Sequence, residues 1–309
     1  MTAPGWRGCH GVRLHGGEAL DLGHASGEPL LDAHVIDEGA ITGDGRELWR
    51  RTEMVDTATG PVLAEQWLSM RSDGGYLLRT NRGAVLDVDP TSNRITVAGA
   101  DPGTRSQLLA AYALPLLLHR APAVVVHGSA CARDGHAVVV VGPSGAGKSS
   151  ILVRLIEAGW SPITEDLCTI DLRAAPAAWP GPPWVRRLRD EAGPAGATVR
   201  FATADKVVWD IASDQARSAQ PIAALVVLSE PGGTESTTTA LAPRDAVAVV
   251  AEHAVWLAEA GDGPAALFSP LATLTAKVST VRVTLPRTSS WLDAVPSIFD
   301  TVLARAMQA

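Results

Sequence analysis

Residues Gly142-Pro-Ser-Gly-Ala-Gly-Lys-Ser149 follow directly on the apolar run His136-Ala-Val-Val-Val-Val141. A glycine, four residues, then glycine, lysine and serine is the pattern of a phosphate-binding loop. Its glycines allow backbone angles that turn successive N–H groups inward around phosphate oxygens. The lysine reaches the β- and γ-phosphates and the serine hydroxyl meets Mg²⁺. The surroundings suit that reading. The β-branched run before the loop predicts a strand, and Ser150-Ile-Leu-Val-Arg-Leu-Ile-Glu-Ala-Gly159 has apolar residues at helical spacing with a closing glycine. A helix beginning near Lys148 would place the positive end of its dipole under the anion. Gly142, Pro143, Ser144, Gly145, Ala146, Gly147, Lys148, Ser149 and Ser150 are therefore the candidate nucleotide-binding set. The expected cofactors are ATP and Mg²⁺, and no base-reading motif sets GTP aside.

The use of cations supports a special place for Lys148. Of 26 basic residues only Lys148, Lys206 and Lys277 are lysines, so arginine serves almost wherever any cation will do. A site that keeps lysine is a candidate for needing a compact point charge instead of a planar fork. Lys148 fits that account and Lys206 shares in it, while Lys277 reads as structural.

The chain has 309 residues, 46% of them hydrophobic, enough for a substantial core and two domains. Its net charge is −7, and the densest basic stretch is Arg186-Arg187-Leu-Arg189. Nucleic acid is not the expected partner. Cys9, Cys131 and Cys168 suggest neither a disulfide framework nor a zinc site, which points to a reducing cytoplasm. The start of the chain lacks the charged and apolar regions of a secretory signal. The most apolar stretch, Leu108 to Leu118, is too short for a membrane span and reads as a buried helix with a proline inside.

Residues 1–102 show short alternating segments cut by turns and read as a β-rich accessory or substrate-docking domain. Strands are expected over 62–70, 76–80, 84–88 and 94–97, with turns at Asp73-Gly-Gly75, Asn81-Arg-Gly83 and Asp89 to Asn93. Its scattered histidines, His10, His15, His24 and His34, read as packing or surface residues. Residues 103–309 read as the α/β catalytic domain. Expected there are strands at 123–127 and 136–141 joined by an Asp-Gly turn, and a strand over 161–172 carrying Glu165 and Asp166 in its middle. A long irregular segment follows over 174–204, then a strand at 222–228, a helix from Pro243 to about Ala260, a strand at 281–285 and a closing helix from Ser289.

Three pieces surround the loop in order: His127-Gly128-Ser129, the loop itself, and Glu165-Asp166. Phosphoryl transfer needs positioning, metal charge and a group to take the acceptor's proton. A carboxylate pair on the neighbouring strand can supply the base and a metal contact, and a histidine can orient one carboxylate. On a regular strand only one of two adjacent acids faces the loop. The catalytic candidates are His127, Lys148, Glu165 and Asp166; those for the metal are Ser149 and Asp166.

This arrangement resembles the HPr kinase/phosphorylase family, whose kinase domain reads His-Gly, a strand, Gly-x-x-Gly-x-Gly-Lys-Ser, a helix and an Asp-Asp pair. The resemblance covers roughly residues 120–172. It implies an α/β fold with a C-terminal P-loop kinase domain of the HPr-kinase type, here behind a β-rich N-terminal domain, and a catalytic centre of His127 and the acidic pair. Two departures stand out: the first acid is Glu165, and the family's Arg-Gly-Leu-Gly signature has no counterpart. HPr as substrate, and phosphorolysis, are thereby not implied. The N-terminal half, the segment Trp184 to Asp190 and the Arg282…Leu285-Pro-Arg287 region look like a divergent branch that includes serine kinases of lasso-peptide precursors. On that resemblance Lys206 contacts phosphate or acceptor, and Arg187 or Arg189 faces the transferred group. The expected activity is a serine-type kinase acting on a peptide or small protein, with self-association left open. The alternatives are a small-metabolite kinase and a non-enzymatic nucleotide-sensing regulator.

Overall fold

The computed structural model describes residues 5–17, 20, 22–57, 60–99, 101–202, 206–230, 232, 234–255, 265–286 and 291–308. Within them the fold is mixed α/β, with many strands and few helices. Three sheets form, of nine, eight and three strands.

The nine-stranded sheet runs in the order 24–25, 6–9, 12–16, 31–37, 94–98, 85–89, 76–80, 60–70 and 46–57. Alternation sets its inner face: in Val85–Asp89, Leu86 and Val88 are buried while the residues between them are not. That face packs on the segment 102–118, whose Leu109, Leu114 and Leu117 are fully buried. Each such leucine contributes roughly 1.5–3 kcal/mol. The same apolar cluster also takes in Val125, Leu167, Trp184 and Val208, so it reaches across the 102/103 boundary.

The proline expected inside the apolar helix leaves a visible mark. Pro102–Leu108 is α-helical, with the Asp101 carboxylate accepting from the Thr104 N–H at 3.0 Å. Leu109–Ala113 then widens into a π turn, in which the Leu114 N–H reaches the Leu109 carbonyl, before Leu114–Leu118 resumes. Pro115 has no N–H and its ring crowds the carbonyl four residues back, and the wider turn relieves both problems.

The eight-stranded sheet carries the glycine loop. Ala123–Arg133 and His136–Val141 form a hairpin whose two turn residues, Asp134 and Gly135, have φ of 52° and 77°, as a two-residue I′ turn requires. His136–Val141 pairs in parallel with Gln220–Leu228, which pairs in parallel with Ser279–Thr284. Ligands of such sheets gather at the carboxyl ends of the parallel strands. There the chain runs into residues 142–147 and then the helix Lys148–Glu157. The closing helix Trp291–Ala306 packs against that helix.

Several sequence expectations are corrected. Residues 161–172 are not one strand: Ser161–Thr164 and Leu167–Asp171 are separated at Glu165-Asp166. Residues 174–202 are not irregular, since strands form at 177–179, 184–188 and 199–202, the last two flanking Lys206–Asp210 in the small sheet. Alternation there was masked because the pattern is short and interrupted by Pro and Gly. The helix from Pro243 ends at Ala251, and residues 256–260 lie outside the described residues. So do Arg287 and the expected start of the closing helix, Ser289 and Ser290.

Gly181 supplies a direct test of how the acidic break is held. The Thr164 hydroxyl donates to the Leu167 carbonyl at 2.6 Å, spanning Glu165 and Asp166. A Cβ on Gly181 would stand 2.0 Å from that hydroxyl. Gly181→Ala therefore costs about 1–3 kcal/mol through overpacking, a fall of several degrees in thermal midpoint. Calorimetry that returns an unchanged midpoint contradicts this clamp.

Candidate functional site

Glu165 and Asp166 are presented by a strained turn. The Leu167 N–H donates to the Glu165 carbonyl at 2.9 Å, and Asp166 between them has φ 73°. A three-residue turn with a positive central φ is rare and strained, and aspartate is among the few residues that tolerate it. The Gly128 N–H ties the turn down by donating to the Asp166 carbonyl at 2.9 Å. Strand alternation is broken here, and both acids line the same cleft. A regular strand would turn one of them away, and the break at Glu165-Asp166 removes that constraint.

The cleft has a volume of about 1010 Å³. It brings together His127, Ser144, Gly145, Gly147, Lys148, Ser149, Ser150, Glu165, Asp166, Arg187 and Lys206, all picked from the sequence. Gly142, Pro143 and Ala146 are not among the residues that line it. The Lys148 ammonium donates to the Gly142 and Pro143 carbonyls at 2.8 and 2.9 Å. Burial lowers its pKa, while the charges of Asp166 and Glu165 act in the opposite sense. Gly147 precedes the helix at φ 92°, and a Cβ there would meet the Trp291 ring at 2.9 Å. No side chain caps this helix, so its first N–H groups face the loop without a side-chain acceptor.

The two acids have different neighbours. Glu165 is buried; its Oε1 accepts from the Ser149 hydroxyl at 2.8 Å and its Oε2 from Arg186 Nε at 3.2 Å. Asp166 pairs with the same Arg186 guanidinium, and its Oδ1 stands 3.5 Å from His127 Nδ1. Burial pushes the Asp166 pKa up, but Arg186, His127 and Lys206 outweigh it and hold the carboxyl below its ordinary range. Burial acts to lower the Arg186 pKa, yet the two carboxylates raise it above its usual value, so the guanidinium stays charged. Burial lowers the His127 pKa below 6.5, Asp166 opposing, so the imidazole is neutral at pH 7.

Of the two arginines named from the sequence, Arg187 lines the cleft and Arg189 does not. Arg187 is buried and donates to the Ser150 hydroxyl at 2.8 Å, supporting the helix start instead of the acids. Arg189 is exposed and off the cleft wall. The arginine that meets the carboxylates is Arg186, in the basic cluster but not singled out within it. Sequence reading also missed Trp49, Arg51 and Tyr112, which close the cleft from the N-terminal half. No motif marks them, because their position depends on how the two halves dock.

No protein-family model matches the chain, and no curated protein matches it. Among solved structures it is similar to the Hpr(Ser) kinase/phosphatase from Coxiella burnetii, with TM-score 0.29 and 11% identity, over 60% of this chain and 95% of that one. A likeness of that size carries no weight for function, and the reading of the site rests on its geometry. No helix among the described residues is long and apolar enough to cross a membrane.

Proposed function

We propose that this chain is an ATP- and Mg²⁺-dependent phosphotransferase that moves the γ-phosphoryl group to a serine-type hydroxyl of a peptide or small protein. One observation carries the reading: an uncapped helix start, a buried lysine and two inward carboxylates converge on one cleft. The loop N–H groups and Lys148, released from its two carbonyls, bind the phosphate oxygens. Mg²⁺ is held by few protein ligands plus phosphate and water, and the Ser149 hydroxyl beside Glu165 is such a pair. When bound, the ion neutralises charge on the transferring phosphate. The sequence put Asp166 with Ser149 on the metal; the hydrogen bond from Ser149 to Glu165 supports Glu165 in that place instead, with Asp166 as the base.

Asp166 takes the proton as the acceptor oxygen bonds to the γ-phosphorus; the bond to the β–γ bridging oxygen breaks and ADP departs with that electron pair. His127 orients Asp166, and Arg186 holds both carboxylates in register. Trp49, Arg51 and Tyr112 frame an acceptor approach from residues 1–102 and the helix after them, which supports a peptide over a fully enclosed metabolite. A purely nucleotide-sensing role has no use for the paired acids.

The test is mass spectrometry of cell-lysate peptides after incubation with the protein and γ-labelled ATP. Phosphoserine on a discrete set of peptides is the expected result. Label found only in free phosphate, or only in small metabolites, rejects the peptide-kinase reading.

A further inference from the structure

His10 belongs to no part of that mechanism, yet it is buried next to it. Its side chain is 2% exposed and its Nδ1 has no hydrogen-bond partner. The residue is fixed: its φ is 57° and its N–H donates to the Pro180 carbonyl at 2.6 Å. Burial drives the imidazole pKa down to about 4, against the pull of Asp166. The ring is thus neutral, with one nitrogen a donor and the other an acceptor.

His10 borders a cavity of about 130 Å³ on the other side of the acidic pair. That is room for on the order of four waters, or for one short side chain or peptide unit. Cavity and cleft share a wall made by Ala111, Tyr112, Glu165, Asp166, Leu167 and Arg186. A group seated in the cavity therefore lies against carboxylates that also face Lys148 and the loop. Gln107 also lines the cavity and offers an amide with no protein hydrogen bond among the described residues. Leu108, Trp184 and Pro182 supply apolar surface. The wall's two carboxylates outnumber its one guanidinium and disfavour an anion, while Lys148 and Lys206 beyond it offset the excess negative charge that would otherwise draw a cation.

We propose that this cavity is part of the acceptor subsite: it takes the uncharged peptide unit beside the reacting hydroxyl, which itself stays in the cleft, and His10 with Gln107 holds that unit next to Asp166. The inference rests on the kinase reading and adds to it a pocket lined by the turn that follows strand 6–9.

The probe is N-acetyl-L-serinamide, followed by saturation-transfer NMR on the full chain with and without MgADP. The wild-type chain is expected to bind it. His10→Ala and Gln107→Leu should each weaken the probe about five- to tenfold, the effect of one lost hydrogen bond. His10→Asn, which keeps a donor and an acceptor, should recover part of the loss, and MgADP affinity should stay within twofold throughout. Gln107 is only half-buried, so its variant guards against a folding defect in His10→Ala. A wild-type chain that binds MgADP but not the probe sinks the subsite and leaves the kinase reading standing. Equal probe affinity in all variants, or a crystal soak showing only water in the cavity, sinks it too. A chain that takes the probe but no nucleotide rejects the kinase reading instead.

Discussion

Lys148→Met removes nucleotide turnover, with a fall of about 10²–10³ expected from losing a preorganised charge at the transferring phosphate. Methionine keeps the length and packing of the lysine stem, so the thermal midpoint of the free chain should barely move. The lysine is 9% exposed and donates to two carbonyls of its own loop. Those contacts hold the ammonium at the loop before any phosphate arrives. A second variant separates charge from shape. Lys148→Arg retains the charge but offers a planar fork where the site holds a point donor. The chain has 26 basic residues of which three are lysine, so a tolerated arginine here would remove the reason for keeping lysine. The arginine variant should turn over ATP at about a tenth of the native rate or less. Both variants are read by label release from γ-labelled ATP and by titration of a fluorescent nucleotide. Native turnover in Lys148→Met would end the assignment of the loop.

How much of this was legible beforehand depended on whether the information was local. The loop and its helix could be read because a fixed glycine spacing, a preceding β-branched run and helical periodicity are all properties of neighbouring residues. The Asp134-Gly135 hairpin turn was legible for the same reason. The acidic pair was found, but its presentation was not. A strand over 161–172 predicts one acid inward, whereas the turn centred on Asp166 depends on Gly128 and on the Thr164 clamp, and Thr164 in turn needs the space beside Gly181. Arg186 was hidden among its neighbours. Which arginine of that cluster meets the acids is set by the pairing of Trp184–Leu188 with Lys206–Asp210, a register no single strand announces. The β-rich character of residues 1–102 was readable from alternation, yet the docking of Tyr112, Arg51 and His10 beside the acids is a long-range outcome of one shared core.

Asp166→Asn should abolish transfer, by about 10²–10⁴ for a lost general base, while MgATP affinity changes little. Asparagine is the informative replacement because it also tolerates positive φ, so the turn at 73° and the Gly128 contact survive. Arg186 keeps Glu165 as its partner. Glu165→Gln should act differently: the amide oxygen can still accept from Ser149, but the lost charge raises the Mg²⁺ concentration needed for half-maximal rate. His127→Ala should slow transfer instead of ending it, since the histidine stands 3.5 Å from the base and acts through it. The pH profile supplies a second readout. Asp166 has its pKa held below the ordinary carboxylate range, chiefly by Arg186 acting against burial. It therefore stays ionised as pH falls from neutral, and the rate should hold until the pH drops through that lowered value. A decline falling between pH 6.5 and the ordinary carboxylate range would point to His127 as the base, since burial lowers its pKa from 6.5. Full-rate transfer by the double variant Glu165→Gln/Asp166→Asn would remove both carboxylates from the chemistry, and the proton would then have to leave by another route.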